Sequence, residues 1–121
     1  MSAAKHSEDR EHSVIGEVNK NLFIGGKWQA AQNGRTFQVT DPATGKALCE
    51  VADASPADGM AALDAAVTAQ AGFAAMAPRE RGEILHRSYE RMMQRQDDLA
   101  LLMTLEMGKP LAESKGEIAY A

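Results

Sequence analysis

The spacing of apolar residues changes once along this chain, at Ser55-Pro56. Before that point apolar residues come in short runs separated by turn formers; after it they recur at helical intervals. The switch predicts a small β region followed by helices.

The β part is spelled out by its turns. Leu22-Phe23-Ile24 runs into Gly25-Gly26 and then Lys27-Trp28. Two glycines between apolar runs suit a tight hairpin, whose turn needs positive φ. Asn33-Gly34 is a second such signal. Thr36-Phe37-Gln38-Val39-Thr40 alternates polar and apolar residues, as a half-buried strand does. Asp41-Pro42-Ala43-Thr44-Gly45 reads as a turn, and Ala47 to Val51 as a third strand. Together they predict an antiparallel meander.

Ser55-Pro56-Ala57-Asp58 then opens a helix: Ser caps, Pro suits the first turn, and Asp58 faces the positive end of the dipole. Met60, Leu63, Val67, Ala71 and Ala74 form its apolar stripe. Pro78 starts a second helix, with Leu85, Tyr89 and Met92 on one face. Leu99, Leu102 and Met103 mark a third. Gly108 is a C-cap with Pro110 soon after, and Leu111 to Ala121 reads as a fourth helix that no Gly, Pro or Asn closes. A chain ending inside a helical pattern reads as cut. Residues 1–20 are polar and aperiodic and read as a flexible tail.

Composition bounds the function. Lys and Arg number 13 against 17 Asp and Glu, a formal charge of -4, so the basic footprint of a nucleic-acid binder is missing. No apolar run nears the ~20 residues that span a bilayer, and the acids of the N-terminal stretch do not suit a transit peptide. With one cysteine, Cys49, there is no internal disulfide and no cysteine-rich zinc site. The expected location is cytoplasmic.

The candidate sites each meet a plainer reading. Gly26-Lys27, Gly45-Lys46 and Gly108-Lys109 invite a phosphate loop, which needs a glycine five residues before the pair and Ser or Thr after it. Asn21, Thr40 and Met103 stand at the first position, and Trp28, Ala47 and Pro110 at the second. The pairs are therefore turns and a cap. There is no G-x-G-x-x-G either. Cys49 sits in a strand pattern with no neighbouring base, so it reads as a small apolar residue. His6 and His12 are badly spaced for a metal, and His86 lies among arginines that read as a solvated face paired with Glu80, Glu83 and Glu90.

Three segments carry a family resemblance. Leu22-Phe23-Ile24-Gly25-Gly26-Lys27-Trp28 followed by Val39-Thr40-Asp41-Pro42-Ala43-Thr44-Gly45 resembles the opening of the aldehyde dehydrogenase superfamily. Arg79-Glu80-Arg81 with Ile84-Leu85 fits its next helix. Leu105-Glu106-Met107-Gly108-Lys109-Pro110-Leu111 is similar to its Glu-x-Gly-Lys-Pro segment. The stretches Met92 to Ala100 and Pro110 to Ala121 resemble the bacterial succinate-semialdehyde dehydrogenases.

That resemblance implies an α/β parent with a Rossmann-like cofactor domain, of which residues 21–121 are the N-terminal part: the meander and three to four helices. It implies oxidation of a small-molecule aldehyde by a cysteine thiolate, with hydride passing to NAD or NADP, in a homo-oligomer. The family's nucleophile, base and cofactor segments lie downstream of these residues, so this chain is expected to bind no cofactor and to be inactive alone. Cys49 does not occupy the nucleophile's context. Some relatives hold a structural sodium or potassium ion with backbone carbonyls before the Asp-Pro turn and an acid before Gly-Lys-Pro. The matching positions here are Val39, Thr40 and Glu106, Glu106 replacing a shorter acid. Glu106 in an ordinary helix-end hydrogen bond is the plainer alternative. The competing function is a non-catalytic helical module that binds a partner.

Overall fold

A computed structural model describes residues 2–121, with side chains from Ser7 onward. The elements run α1 (Ser2–Glu17), β1 (Leu22–Ile24), β2 (Lys27–Gln29), β3 (Thr36–Thr40), β4 (Ala47–Ala52), α2 (Pro56–Ala75), α3 (Pro78–Gln94), α4 (Gln96–Met107) and α5 (Leu111–Tyr120). They form two compact units. One takes residues up to Asn19 with Gln38–Cys49 and Ser88–Ala121; the other takes Lys20–Phe37 and Glu50–Arg87.

The second unit begins with the glycine hairpin. Gly25 and Gly26 have φ of 60° and 79°, the left-handed pair that a two-residue turn requires. The turn sets an antiparallel register in which Phe23 faces Trp28, their rings 4.9 Å apart and tilted by 50°. Helix α2 lies against β1. Its start is a complete capping box: the Ser55 hydroxyl accepts from the Asp58 N–H at 3.2 Å, and the Asp58 carboxylate accepts from the Ser55 N–H at 2.8 Å. At the other end, Arg81 of α3 donates to the Ala74 and Met76 carbonyls at 3.0 and 2.7 Å, satisfying acceptors that the helix end leaves open.

In the first unit α4 and α5 form a helical hairpin. Gly108 ends α4 in the left-handed region, φ 72°, and its N–H donates to the Thr104 carbonyl at 2.8 Å. Ala100 and Ser114 are fully buried, and side chains this small let the two helices close together. Ser114 keeps a partner there, its hydroxyl 3.0 Å from that of Thr104. Lys115 pairs with Asp97 at 2.7 Å across the hairpin.

Two expectations are corrected. The stretch read as a tail is the helix α1, which lies against α4 and buries Val14. Its apolar stripe is confined to its C-terminal end, too short a periodic signal to stand out, so tertiary contact supplies what propensity does not. The meander is two separate two-stranded sheets, β1 with β2 and β3 with β4. The residues between β2 and β3 are spent on the Gly34 turn (φ 66°), whose N–H donates to the Ala31 carbonyl at 2.8 Å. The four expected helices are present. Two of the expected stripes are open to solvent in this chain: Met60, Leu63 and Val67 of α2 are 54–59% exposed, and Leu85 of α3 is 67% exposed. Among the described residues no helix is long and apolar enough to cross a membrane.

Candidate functional site

The positions singled out for a cation, Val39, Thr40 and Glu106, belong to two segments of the first unit. Val39 is half-buried and Thr40 exposed at the end of β3; Glu106 is exposed on the last turn of α4. The turn between β3 and β4 is rigidly built. Asp41, 8% exposed, accepts from the Ala43 N–H at 2.8 Å and from the Thr44 hydroxyl at 2.7 Å, while its own N–H donates to the Lys46 carbonyl at 2.9 Å. The Thr44 hydroxyl, the Ala43 N–H and the charge of Lys46 hold the Asp41 carboxyl below its ordinary value. Asp41 is therefore an ionised brace for the turn.

Pro42 brings the turn to the end of α4. A Cβ placed on Gly108 would lie 3.1 Å from Pro42 Cγ. The turn that follows β3 and the end of α4 thus share one corner, where α4 presents the negative end of its dipole. Lys109, the next cation in the chain, is paired with Glu117. Backbone carbonyls at 39 and 40 with a carboxylate at 106 would be an all-oxygen donor set, of the kind that suits a hard cation of low charge. Among the described residues no three His, Cys, Asp or Glu side chains cluster as a metal site, so a cation here would depend on main-chain oxygens.

The other candidates fall into structural places. The three Gly-Lys pairs are the β1–β2 turn, the β3–β4 turn and the α4 cap. Cys49 is a free, half-buried thiol on β4. His86 is exposed on α3, and His12 is exposed on α1 with its Nδ1 2.8 Å from the Glu8 carbonyl. His6 lies outside the residues whose side chains are described. Arg79 pairs with Glu83 at 3.1 Å, as helical spacing foretold.

Sequence reasoning missed one polar centre. Asp58, 1% exposed, also accepts from the Gln32 N–H at 3.2 and 3.3 Å, tying the loop after β2 to the start of α2. Ser55 reads as the cap and Asp58 as a dipole partner, but neither carries a sign of this distant donor.

The model of the aldehyde dehydrogenase family matches residues 28–121. This chain belongs to that family. It is 48% identical over 102 residues to the glutarate-semialdehyde dehydrogenase of Pseudomonas putida strain KT2440, covering 84% of this chain and 21% of that protein. It is 47% identical over 108 residues to the NADP-dependent succinate-semialdehyde dehydrogenase of Escherichia coli K12, covering 85% and 22%. The crystal structure of succinate-semialdehyde dehydrogenase from Burkholderia pseudomallei superimposes with a TM-score of 0.83 at 45% identity, over 89% of this chain and 22% of that one. The chain therefore spans about a fifth of the length of these aldehyde dehydrogenases.

Proposed function

We propose that these 121 residues are the N-terminal part of an NAD(P)-dependent aldehyde dehydrogenase that oxidises succinate semialdehyde to succinate, and that they carry no catalytic group of their own. The observation behind this is the 47% identity to the Escherichia coli succinate-semialdehyde enzyme across 85% of the chain. Relatives named for glutarate semialdehyde are as similar, so the substrate class is the semialdehyde of a short dicarboxylic acid, with succinate semialdehyde first.

In the complete enzyme, an α/β protein with a Rossmann-like cofactor domain, bound NAD or NADP would accept the hydride. The residues described above do a different job. The Asp58 centre fixes the start of α2, Arg81 fixes its end, and the Pro42–Gly108 contact fixes the corner between β3–β4 and α4. In that corner the Val39 and Thr40 carbonyls and the Glu106 carboxylate would hold a monovalent structural cation. The half-exposed stripes of α2 and α3 are faces that the rest of the enzyme covers. The enzyme is cytoplasmic and homo-oligomeric.

The test is to read the coding sequence beyond the codon for Ala121, express the whole frame, and compare kcat/KM for succinate and glutarate semialdehydes with NAD and NADP. The expected result is turnover with both semialdehydes and a preference for succinate semialdehyde. A frame with no further dehydrogenase sequence, or an enzyme that ignores both substrates, overturns the proposal.

A further inference from the structure

Helix α1 lies wholly before the matched family region and packs against α4. Its apolar anchor is Val14, 6% exposed. Two ion pairs flank that anchor. Arg10 meets Asp98 at 3.5 Å, and Glu17 meets Arg95 at 3.4 Å. The pairs run in opposite senses, base to acid and acid to base, so they fix which way α1 lies along the start of α4. All four side chains are 40–62% exposed and both distances are near the limit of an ion pair, so each contact is weak and open to screening. A helix of this length barely persists in water unless it is docked. Behind it is a cavity of about 380 Å³, with Ile15 and Gly16 of α1 on one side and Leu48, Leu105 and Thr44 among its other walls.

We propose that α1 is a detachable strap, latched to α4 by complementary charges and released by salt, and that its release uncovers the apolar wall formed by Leu48 and Leu105. The Debye length falls from about 10 Å at 0.1 M salt to about 3 Å at 1 M, which removes most of the attraction between exposed charges. The strap requires no dehydrogenase activity and stands apart from the functional proposal.

Amide hydrogen exchange of the complete protein that carries these residues tests it, at low salt and at about 1 M sodium chloride. Two screened surface pairs correspond to an acceleration of roughly threefold to thirtyfold for the amides of residues 10–17. The amides of residues 100–105 in α4 are expected to change by less than about twofold, because their helix stays paired with α5. Asp98→Asn and Glu17→Gln should each accelerate α1 exchange at low salt and blunt the salt response. Salt-independent exchange in α1 overturns the proposal. So does a parallel acceleration of α4, or an α4 no better protected than α1 at low salt.

Discussion

Replacing Gly108 by Ala strains the corner that joins β3–β4 to α4, and the structure says by how much. Gly108 has φ 72° and ψ 12°. An L-residue is disfavoured there by roughly 1–2 kcal/mol, of which about 0.4–1 kcal/mol is offset because alanine also restricts the unfolded chain. The added methyl would then meet Pro42 Cγ at 3.1 Å and Cβ at 3.9 Å. A proline ring cannot rotate aside, so the turn must yield; the low end of overpacking costs, about 1 kcal/mol, is appropriate for one tight contact. The sum is about 2 kcal/mol, or roughly a thirtyfold rise in local opening. Gly26 is the control: its φ is 79° but a Cβ there would meet nothing within 4 Å. Gly26→Ala should therefore cost only about 1 kcal/mol, near fivefold. Native-state hydrogen exchange measures both, on the amides of residues 104–108 for one variant and of residues 23–28 for the other. Adding Pro42→Ala to Gly108→Ala should return its effect to about fivefold. If the two glycine variants are equally disruptive, or if Pro42→Ala brings no relief, the corner is not built as described.

Cys49→Ser in the complete enzyme should leave turnover within a few-fold of the parent, since Cys49 sits on a strand outside the nucleophile's context; a loss beyond about a hundredfold in a folded variant would give it a catalytic role. The isolated chain should be helical but loosely packed, with dye-binding apolar surface and a tendency to associate, because Met60, Leu63, Val67 and Leu85 are uncovered. A dispersed amide spectrum, no dye binding and a sharp monomeric melt would make it a self-sufficient domain. The Ser55 hydroxyl, with the Ser55 and Gln32 N–H groups, lowers the Asp58 pKa. A depressed folded pKa means that stability is present above the unfolded value of about 3.9 and is lost as pH falls through the folded one. The Ser55 and Gln32 amide resonances should therefore hold through mildly acid pH and titrate below about 3.9, whereas a midpoint at or above that value contradicts the buried acceptor.

What the sequence made legible was local. Gly25-Gly26 announced its hairpin and Gly108 its cap, because positive φ confines the choice of residue. Ser55-Pro56-Ala57-Asp58 announced α2, because capping is a contact across three residues. What it hid was tertiary. Nothing near Asp58 points to Gln32, 26 residues away, and Arg81 reads as one of many surface arginines until its guanidinium meets the end of α2. Helix α1 escaped the sequence because its packing on α4 and the burial of Val14 are tertiary, with only a short apolar stretch to signal them. The stripes of α2 and α3 correctly marked helical faces but could not say that this chain leaves them open. The cation site proposed at Val39, Thr40 and Glu106 rests on resemblance alone: two of its three proposed donors are backbone carbonyls, which no side-chain pattern records.

The central claim is that these residues scaffold a semialdehyde dehydrogenase without performing its chemistry. The most direct measurement is the reduction of NAD or NADP on adding succinate semialdehyde, made in parallel on the purified 121-residue chain and on the complete protein read from its gene. The expected result is no reduction above background for the chain and steady turnover for the complete protein. Turnover by the chain, with host enzyme excluded, or none by the folded complete protein, would contradict it.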